Sequence, residues 1–237
     1  MPRKGAAIVA ALKNGGILMT VEIKTKLPLG RSFEEYIQMF NLNANDLSKS
    51  IIGCGDGLSS FNKRMKELGY NIISCDPIYI KSIDQMNQYM LESKEEVIQQ
   101  PRNKLEDIFW NFNQRRTFIN EFLDDYELGK QEGRYLSCSL PELPFKDKEF
   151  DIALCSHFLF TYKDLGFDFH YNSIQEMLRV AKEIRIFPII DLHCEKSEFL
   201  EPIVEELKKQ CYRVEITKVE YGFYLNGHDM LLIHDKK

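Results

Sequence analysis

The chain alternates between short apolar runs, typical of strands, and stretches in which apolar residues recur every three or four positions, typical of helices. Runs that predict strands occur around Ile51 and Ile52 and then at 70–76, 134–138, 151–159, 183–190, 212–216 and 230–233. A capping box at Ser32–Glu35 opens a helix that lies either over a ligand site or simply on one face of the sheet. The alternation predicts an α/β fold.

A glycine-rich stretch follows the first predicted strand. Gly53, Gly55 and Gly57 stand at alternate positions. Glycine permits positive φ in a tight turn and lets a ligand approach the backbone without meeting a Cβ atom. The next helix begins at Ser59 or Ser60, either of which can cap it, and its first amide groups point toward the turn.

The second predicted strand ends in an acid, Asp76, which lies 19 residues after Gly57. A strand, a glycine turn, a helix and a second strand ending in an acid form the unit with which α/β folds bind nucleosides, the carboxylate accepting hydrogen bonds from the ribose. Dinucleotide-binding enzymes have a third glycine where this chain has Leu58. A turn of this composition also occurs in plain loops, so the spacing predicts a nucleoside site without specifying the nucleoside.

Two segments resemble class I S-adenosylmethionine-dependent methyltransferases. The turn reads G-C-G-D-G and resembles their motif I, although Ile51 stands where that family usually has an acid. Residues 139–151 read S-L-P-E-L-P-F-K-D-K-E-F-D and resemble the D-a-x-x-L-P-F-x-D-x-x-F-D segment of small-molecule methyltransferases, with Ser139 in place of the acid. Within that family the chain looks most like a bacterial branch with G-D-G-x-x-S-F and D-P-x-Y segments.

The resemblance implies a Rossmann-like, seven-stranded, mostly parallel sheet with helices on both faces and an antiparallel last strand. The dipeptide Asn226-Gly227 independently predicts a type I′ hairpin that reverses this strand. We expect a flexible leader at residues 1–19 and one methyltransferase domain over 20–237 with a helical insertion at 78–134. Apolar periodicity predicts a helix before Pro101 and two more, at 105–112 and 119–126. The insertion is a candidate substrate lid, in which Arg115 and Arg116 either hold an anionic substrate or form a solvated helix face.

The cofactor implied by the resemblance is S-adenosylmethionine, with no metal. The resemblance places it against residues on the glycine turn and after the second, third and fourth strands: Gly53, Cys54, Gly55, Gly57, Asp76, Pro77, Ser139, Leu140 and Ser156. Tyr79 is interpreted as a ring near the adenine or as simple packing.

Histidines near the fourth strand are the candidate catalytic residues. If the methyl acceptor is a hydroxyl, a base must take its proton, and His157 and His170 are placed for this, with Asp168 or Tyr162 as orienting groups. Each histidine has an alternative role in capping or packing. The sequence Ser173-Ile174-Gln175-Glu176 predicts a capping box that starts the next helix, with Glu176 in the cap.

Composition narrows the partners. The net charge is −5 with acids and bases interspersed, which argues against a nucleic-acid substrate, and no apolar run is long enough to cross a bilayer. Six cysteines without C-x-x-C spacing indicate buried thiols in a reducing cytoplasm instead of a zinc site. We therefore expect a cytoplasmic enzyme with a small-molecule substrate, no membrane partner and an unknown oligomeric state. Two alternatives stay open: a non-catalytic S-adenosylmethionine sensor or scaffold, and a nicotinamide enzyme, which Leu58 and the hairpin disfavour.

Overall fold

The computed structural model of the protein describes residues 7–8, 21–22, 30–98, 105–191, 195–221 and 227–235, with the backbone alone at 7–8, 21–22, 93–98 and 105–114. The strands in these ranges are β1 (Ala7–Ile8), β2 (Val21–Glu22), β3 (Ile51–Cys54), β4 (Ile72–Cys75), β5 (Tyr135–Leu136), β6 (Phe150–Ser156), β7 (Ala181–Phe187), β8 (Arg213–Lys218) and β9 (Asp229–His234). The helices are α1 (Phe33–Phe40), α2 (Ala44–Leu47), α3 (Phe61–Glu67), α4 (Ile83–Ile98), α5 (Leu105–Gln131), α6 (Phe167–Val180) and α7 (Leu200–Lys209), with 3-10 turns at Pro77–Ile80 and Lys163–Leu165.

Strands β3 to β9 form one seven-stranded sheet in the order β5-β4-β3-β6-β7-β9-β8. The five strands from β5 to β7 in this order are parallel to one another, whereas β9 is antiparallel to both β7 and β8. The α/β class, the mostly parallel sheet and the reversed last strand are therefore confirmed. The hairpin turn that predicted the reversal begins at Asn226, outside the described residues.

Helices cover both faces of this sheet, as predicted. Along β6, Ile152 and Leu154 pack with the residues of α1 and α3, whereas Ala153 and Cys155 pack with those of α6 and α7. A strand buried on both faces needs the near-continuous apolar run that the sequence shows there. The predicted capping box at Ser32 is present and opens α1, which lies on the sheet face.

The insertion differs from its prediction. Instead of two helices at 105–112 and 119–126, the single helix α5 runs through this region and continues past Gly129 to Gln131, because no proline interrupts it. The chain reverses only at Gly133, whose φ is +76°. The break expected at Pro101 falls outside the described residues. Two aromatic side chains of α5, Phe122 and Tyr126, form a buried cluster with Tyr79 and Tyr135, so this helix is part of the core.

The start of α6 was also predicted wrongly. The helix begins at Phe167, directly after Gly166 with φ of +81°, so Ser173 lies inside it and is fully buried. Glu176 is not a cap: it accepts the Leu143 N–H at 2.8 Å and pairs with Arg179. The helix therefore starts after the 3-10 turn and Gly166, although the sequence at Ser173–Glu176 is favourable for a capping box.

Near the amino end, Ala7–Ile8 and Val21–Glu22 pair as antiparallel strands. The remainder of the expected leader 1–19 lies outside the described residues. None of the helices in the described ranges combines the length and the apolar character needed to cross a bilayer.

Candidate functional site

The glycine turn follows β3 at the edge of the sheet where the parallel strands end. Gly55 and Gly57 have φ of +77° and +55°, as predicted for a tight turn. Gly53 lies within β3 and serves a different purpose: a Cβ atom there would lie 1.8 Å from the Asp56 carboxylate. Cys54 also belongs to the strand, and its side chain is buried in the core.

Asp76 lies beside this turn, at the end of β4. One carboxylate oxygen accepts the Gly57 N–H at 2.9 Å, and the other accepts the Ile78 N–H at 2.9 Å. The Gly55 N–H donates to the Cys75 carbonyl at 2.8 Å. Two turn amides expected to face a ligand are thus bonded within the protein, and they fix the turn against β4. Pro77 opens the 3-10 turn that follows.

Sequence reasoning missed Asp56, the residue between the two positive-φ glycines. Its side chain is 7 % exposed and points down onto the sheet. It accepts the Tyr36 hydroxyl at 2.8 Å and the Ser74 hydroxyl at 2.6 Å. Burial raises the pKa of Asp56 to about 6, and the nearby charge of Asp76 adds to the increase. The only available signal was an acid flanked by glycines in the motif itself.

The end of β6 lies next to the turn. The Ser156 hydroxyl is 2.9 Å from His157 Nδ1, and the His157 N–H donates to the Phe187 carbonyl at 2.7 Å. His157 has φ of +52°, and the ring of the next residue, Phe158, lies over Gly55. Burial holds the pKa of His157 well below its ordinary value, and the charges of Arg31 and Arg115 lower it further.

The second candidate base, His170, has a different environment. It is fully buried in the first turns of α6. Its Nδ1 accepts the Phe160 N–H at 3.1 Å, and its Nε2 lies 3.2 Å from the Tyr162 carbonyl. Both ring nitrogens therefore bind the backbone of the loop 160–162, which leaves His170 with a loop-fixing geometry.

The segment after β5 carries the two remaining candidates. Ser139 is exposed, and its carbonyl accepts the Glu142 N–H at 3.1 Å. Leu140 is buried in the main core cluster. Tyr79 is buried and donates to the Gly57 carbonyl at 2.8 Å, so of its two interpretations the structure shows packing.

Arg115 lies neither on a solvated helix face nor free to hold an anionic substrate, the two roles considered for it. It is buried, forms an ion pair with Glu35 of α1 and donates to the Tyr221 hydroxyl at 3.2 Å. Its neighbour Arg116 is exposed. Arg31, which the sequence reasoning did not single out, is buried, and its carbonyl accepts the Ser60 N–H at 3.0 Å.

The fold thus brings several predicted residues to one edge of the sheet, since parallel strands present their carboxyl ends together. These residues lie on the turn after β3 and at the ends of β4 and β6: Gly55, Gly57, Asp76, Ser156 and His157. A Cβ atom added at Gly57 would meet nothing within 4 Å, so space lies open next to this glycine.

Solved structures of similar shape include three proteins. The 1,6-didemethyltoxoflavin-N1-methyltransferase of Burkholderia thailandensis has 13 % identity and a TM-score of 0.43, and the match covers 80 % of this chain and 72 % of that one. PH0226 of Pyrococcus horikoshii OT3 has 12 % identity and a TM-score of 0.47, with coverages of 86 % and 91 %. A SAM-dependent methyltransferase of Aquifex aeolicus has 14 % identity and a TM-score of 0.42, with coverages of 84 % and 91 %. Similarity at these TM-scores is too low to support the fold assignment, which depends on the strand order of the sheet.

The sequence comparisons are more specific. No family model matches the chain. The chain is 35 % identical over 224 residues to the uncharacterized protein MJ0045 of Methanocaldococcus jannaschii, covering 90 % of this chain and 98 % of that protein. Because this relative is archaeal, it does not support the bacterial branch expected from the sequence. The chain belongs to the family of the Methanocaldococcus jannaschii protein MJ0045.

Proposed function

We propose that the protein is an S-adenosylmethionine-dependent methyltransferase that acts on a small-molecule acceptor. The observation that carries the proposal is the glycine turn joined to Asp76 at the carboxyl edge of a sheet whose last strand is reversed. A dinucleotide-binding Rossmann sheet has no such reversal, and its fingerprint has a third glycine where this chain has Leu58.

The residues at this edge fit the cofactor. Open space over Gly57 admits a ligand close to the backbone, and the adjoining Asp76 carboxylate is placed to accept hydrogen bonds from ribose hydroxyls. A carboxylate offers about four acceptor positions, so bonds to two backbone amides do not exclude a nucleoside. We assign Pro77 and the segment at Ser139 and Leu140 to the adenine end of the cofactor, and Ser156 to its methionine end. When bound, the cofactor supplies a methyl group activated on a sulfonium, so the protein aligns the acceptor and excludes water.

His157 is the residue we assign to proton removal from a hydroxyl acceptor. Its low pKa keeps the imidazole neutral at pH 7, and a neutral imidazole is the form that accepts a proton. In the tautomer whose Nδ1–H donates to Ser156 Oγ, Nε2 is the basic atom, and because Nε2 is buried, the acceptor hydroxyl has to enter the protein to reach it. We do not extend this role to His170, because backbone groups of the loop 160–162 engage both of its ring nitrogens.

A second candidate function is binding of S-adenosylmethionine without transfer of the methyl group. Ile51, where methyltransferases of this class usually have an acid, is buried in the core, and Ser139 replaces the other expected acid. These two positions favour a sensor or scaffold.

Calorimetry with S-adenosylmethionine, S-adenosylhomocysteine and NAD tests the cofactor assignment. We expect both sulfur ligands to bind and NAD not to bind, and Asp76→Ala to weaken S-adenosylmethionine by about tenfold or more. The control Lys63→Ala changes a helix-surface residue paired with Glu67 and leaves the affinity unchanged. Equal affinities for wild type and Asp76→Ala contradict the site.

Methyl-labelled S-adenosylmethionine, incubated with the protein and the small-molecule fraction of a cell extract, separates transfer from binding. Labelled product supports the enzyme, and His157→Ala then lowers the transfer rate by roughly a hundredfold or more without changing cofactor affinity. Binding without any transfer supports the sensor.

A further inference from the structure

A chain of buried hydrogen bonds runs under the glycine turn. Asp56 accepts from the hydroxyls of Tyr36 on α1 and Ser74 on β4. The Ser74 hydroxyl accepts from Asn62 of α3 at 3.1 Å, and the Asn62 carbonyl oxygen accepts from Arg134 at 2.7 Å. The turn is thereby bonded to three elements packed around it.

The chain reaches the insertion at its far end. Arg134 donates to both carboxylate oxygens of Asp125 on α5, at 2.7 and 2.8 Å, and the Tyr135 hydroxyl donates to the same carboxylate. Buried polar networks of this kind fix a single arrangement when every member is bonded. Asp56 is the member that lies within the turn itself.

The Asp56 carboxylate packs against Gly53, where only a residue without a side chain leaves room for it. The Asp56 oxygen occupies the space that a Cβ atom of Gly53 would fill, at 1.8 Å. Each carboxylate oxygen accepts one hydroxyl hydrogen bond there, so protonation turns one of these oxygens into a donor and requires the hydroxyl that faces it to accept instead of donate. The geometry distinguishes the ionised from the neutral side chain.

We propose that Asp56 is a positioning residue, whose ionised carboxylate holds the backbone of residues 55–57 in the arrangement that binds the cofactor. This inference rests on the proposed function. Asp56 affects binding by holding the turn in place, and the affinity for S-adenosylmethionine therefore falls when the Asp56 carboxylate is protonated.

Several titratable groups surround Asp56. They come from α1, β3, β4 and its end, the 3-10 turn and β6: Tyr36, Cys54, Cys75, Asp76, Tyr79 and Cys155. Burial raises the pKa of Tyr36, Cys54, Tyr79 and Cys155, and a hydrogen bond with Cys138 together with burial raises the pKa of Cys75, so these groups stay neutral near pH 6. Burial and the charge of Asp76 raise the pKa of Asp56, whereas the Ser74 and Tyr36 hydrogen bonds lower it.

The test is calorimetric affinity for S-adenosylmethionine and S-adenosylhomocysteine at pH 7 and pH 5. With a pKa of about 6, about nine-tenths of wild-type Asp56 is ionised at pH 7 and about one-tenth at pH 5, so we expect both affinities to fall about tenfold. In Asp56→Asn we expect both ligands to bind more than about tenfold more weakly at pH 7, with no further loss at pH 5.

Ser74→Ala is a milder variant that keeps the carboxylate. Because the Ser74 hydroxyl lowers the pKa of Asp56, its loss moves the midpoint of the affinity profile to higher pH, a shift that a merely structural role does not produce. The matched control is Asp151→Asn, which removes a carboxylate that accepts from Ser50 at the opposite edge of the sheet and leaves the profile unchanged.

The outcomes separate the two proposals. If the wild type binds neither ligand at pH 7, the proposed function fails. If the wild type binds but its affinity is the same at pH 5, or Asp56→Asn binds as tightly, the positioning role fails. Weakening of S-adenosylmethionine alone also overturns it, because this indicates attraction of the sulfonium charge instead of an effect on the turn.

Discussion

Arg115 donates a hydrogen bond of 3.2 Å to the hydroxyl of Tyr221, although 106 residues separate them. Both side chains also contact Glu35, so the insertion helix α5, helix α1 and the segment before β9 meet at one partly buried ion pair. The carboxyl half of the insertion is therefore fastened to the fold. If the insertion acts as the expected substrate lid, the part that moves does not include Arg115, because this residue is bonded to Glu35 and Tyr221.

Replacement of Arg115 by Met removes the ion-pair partner of the partly buried Glu35 carboxylate and leaves only the nearby charge of Arg31, and we expect the free energy of unfolding to fall by about 2 kcal/mol. The exposed neighbour supplies the control, since Arg116→Met changes stability by less than about 0.5 kcal/mol. Urea unfolding of the two variants measures the difference. Equal effects contradict the buried ion pair.

The Gly53→Ala variant tests the seat of the Asp56 carboxylate. The added methyl meets an oxygen at 1.8 Å, and we expect a loss of about 2–3 kcal/mol from overpacking and broken hydrogen bonds. In an Asp56→Ala background the obstacle is gone, so the same change costs much less. Thermal unfolding of the double-mutant cycle gives the coupling, and additive effects refute the contact.

Stability depends on pH through Asp56 in a defined direction. Its pKa is raised from 3.8 to about 6, so the folded protein binds this proton when the unfolded chain does not. As pH rises from about 4 to about 6, wild type loses stability relative to Asp56→Asn, by at most about 1.4 kcal/mol per pH unit. Urea unfolding of both proteins at several pH values measures the difference, and a difference independent of pH contradicts the raised pKa.

His170→Ala distinguishes a loop-fixing from a catalytic histidine. The variant leaves the Phe160 N–H and the Tyr162 carbonyl without their partner and removes a fully buried ring, at a cost of about 3 kcal/mol. Asp168→Ala, at an exposed position on the same helix, is the control. Loss of methyl transfer at full stability in His170→Ala restores the catalytic interpretation.

Gly129→Ala reverses the usual effect of this substitution in a helix. Alanine is ordinarily favoured there by about 1 kcal/mol. At this position its Cβ atom would lie 2.4 Å from the Tyr135 ring, so we expect destabilisation. When Tyr135 is also replaced by alanine, we expect the destabilisation by Gly129→Ala to become smaller, with the Arg134 guanidinium at 2.8 Å as the remaining obstacle. Chemical unfolding of the four proteins measures the difference, and equal costs in the two backgrounds contradict the contact with Tyr135.

Sequence pattern predicted those features that depend on neighbours along the chain. Burial on two faces demands a continuous apolar run, so β6 was visible, and the positive φ of Gly55 and Gly57 follows from glycine itself. The capping box at Ser32 formed because it involves only residues three apart. The same local rule failed at Ser173, where Gly166 and the turn before it start α6 earlier.

The sequence by itself determined the strands, the reversed end of the sheet and the glycine turn beside Asp76, because periodicity and backbone freedom are local properties. Only the tertiary structure decided that Asp56 is buried beneath the turn, that Arg115 pairs with Glu35 and that His170 holds a loop. Asp56 and Arg115 depend on partners distant in the sequence, such as Ser74 and Tyr221, and His170 depends on backbone groups of the preceding loop. No spacing along the chain reveals which of these groups folding brings into contact.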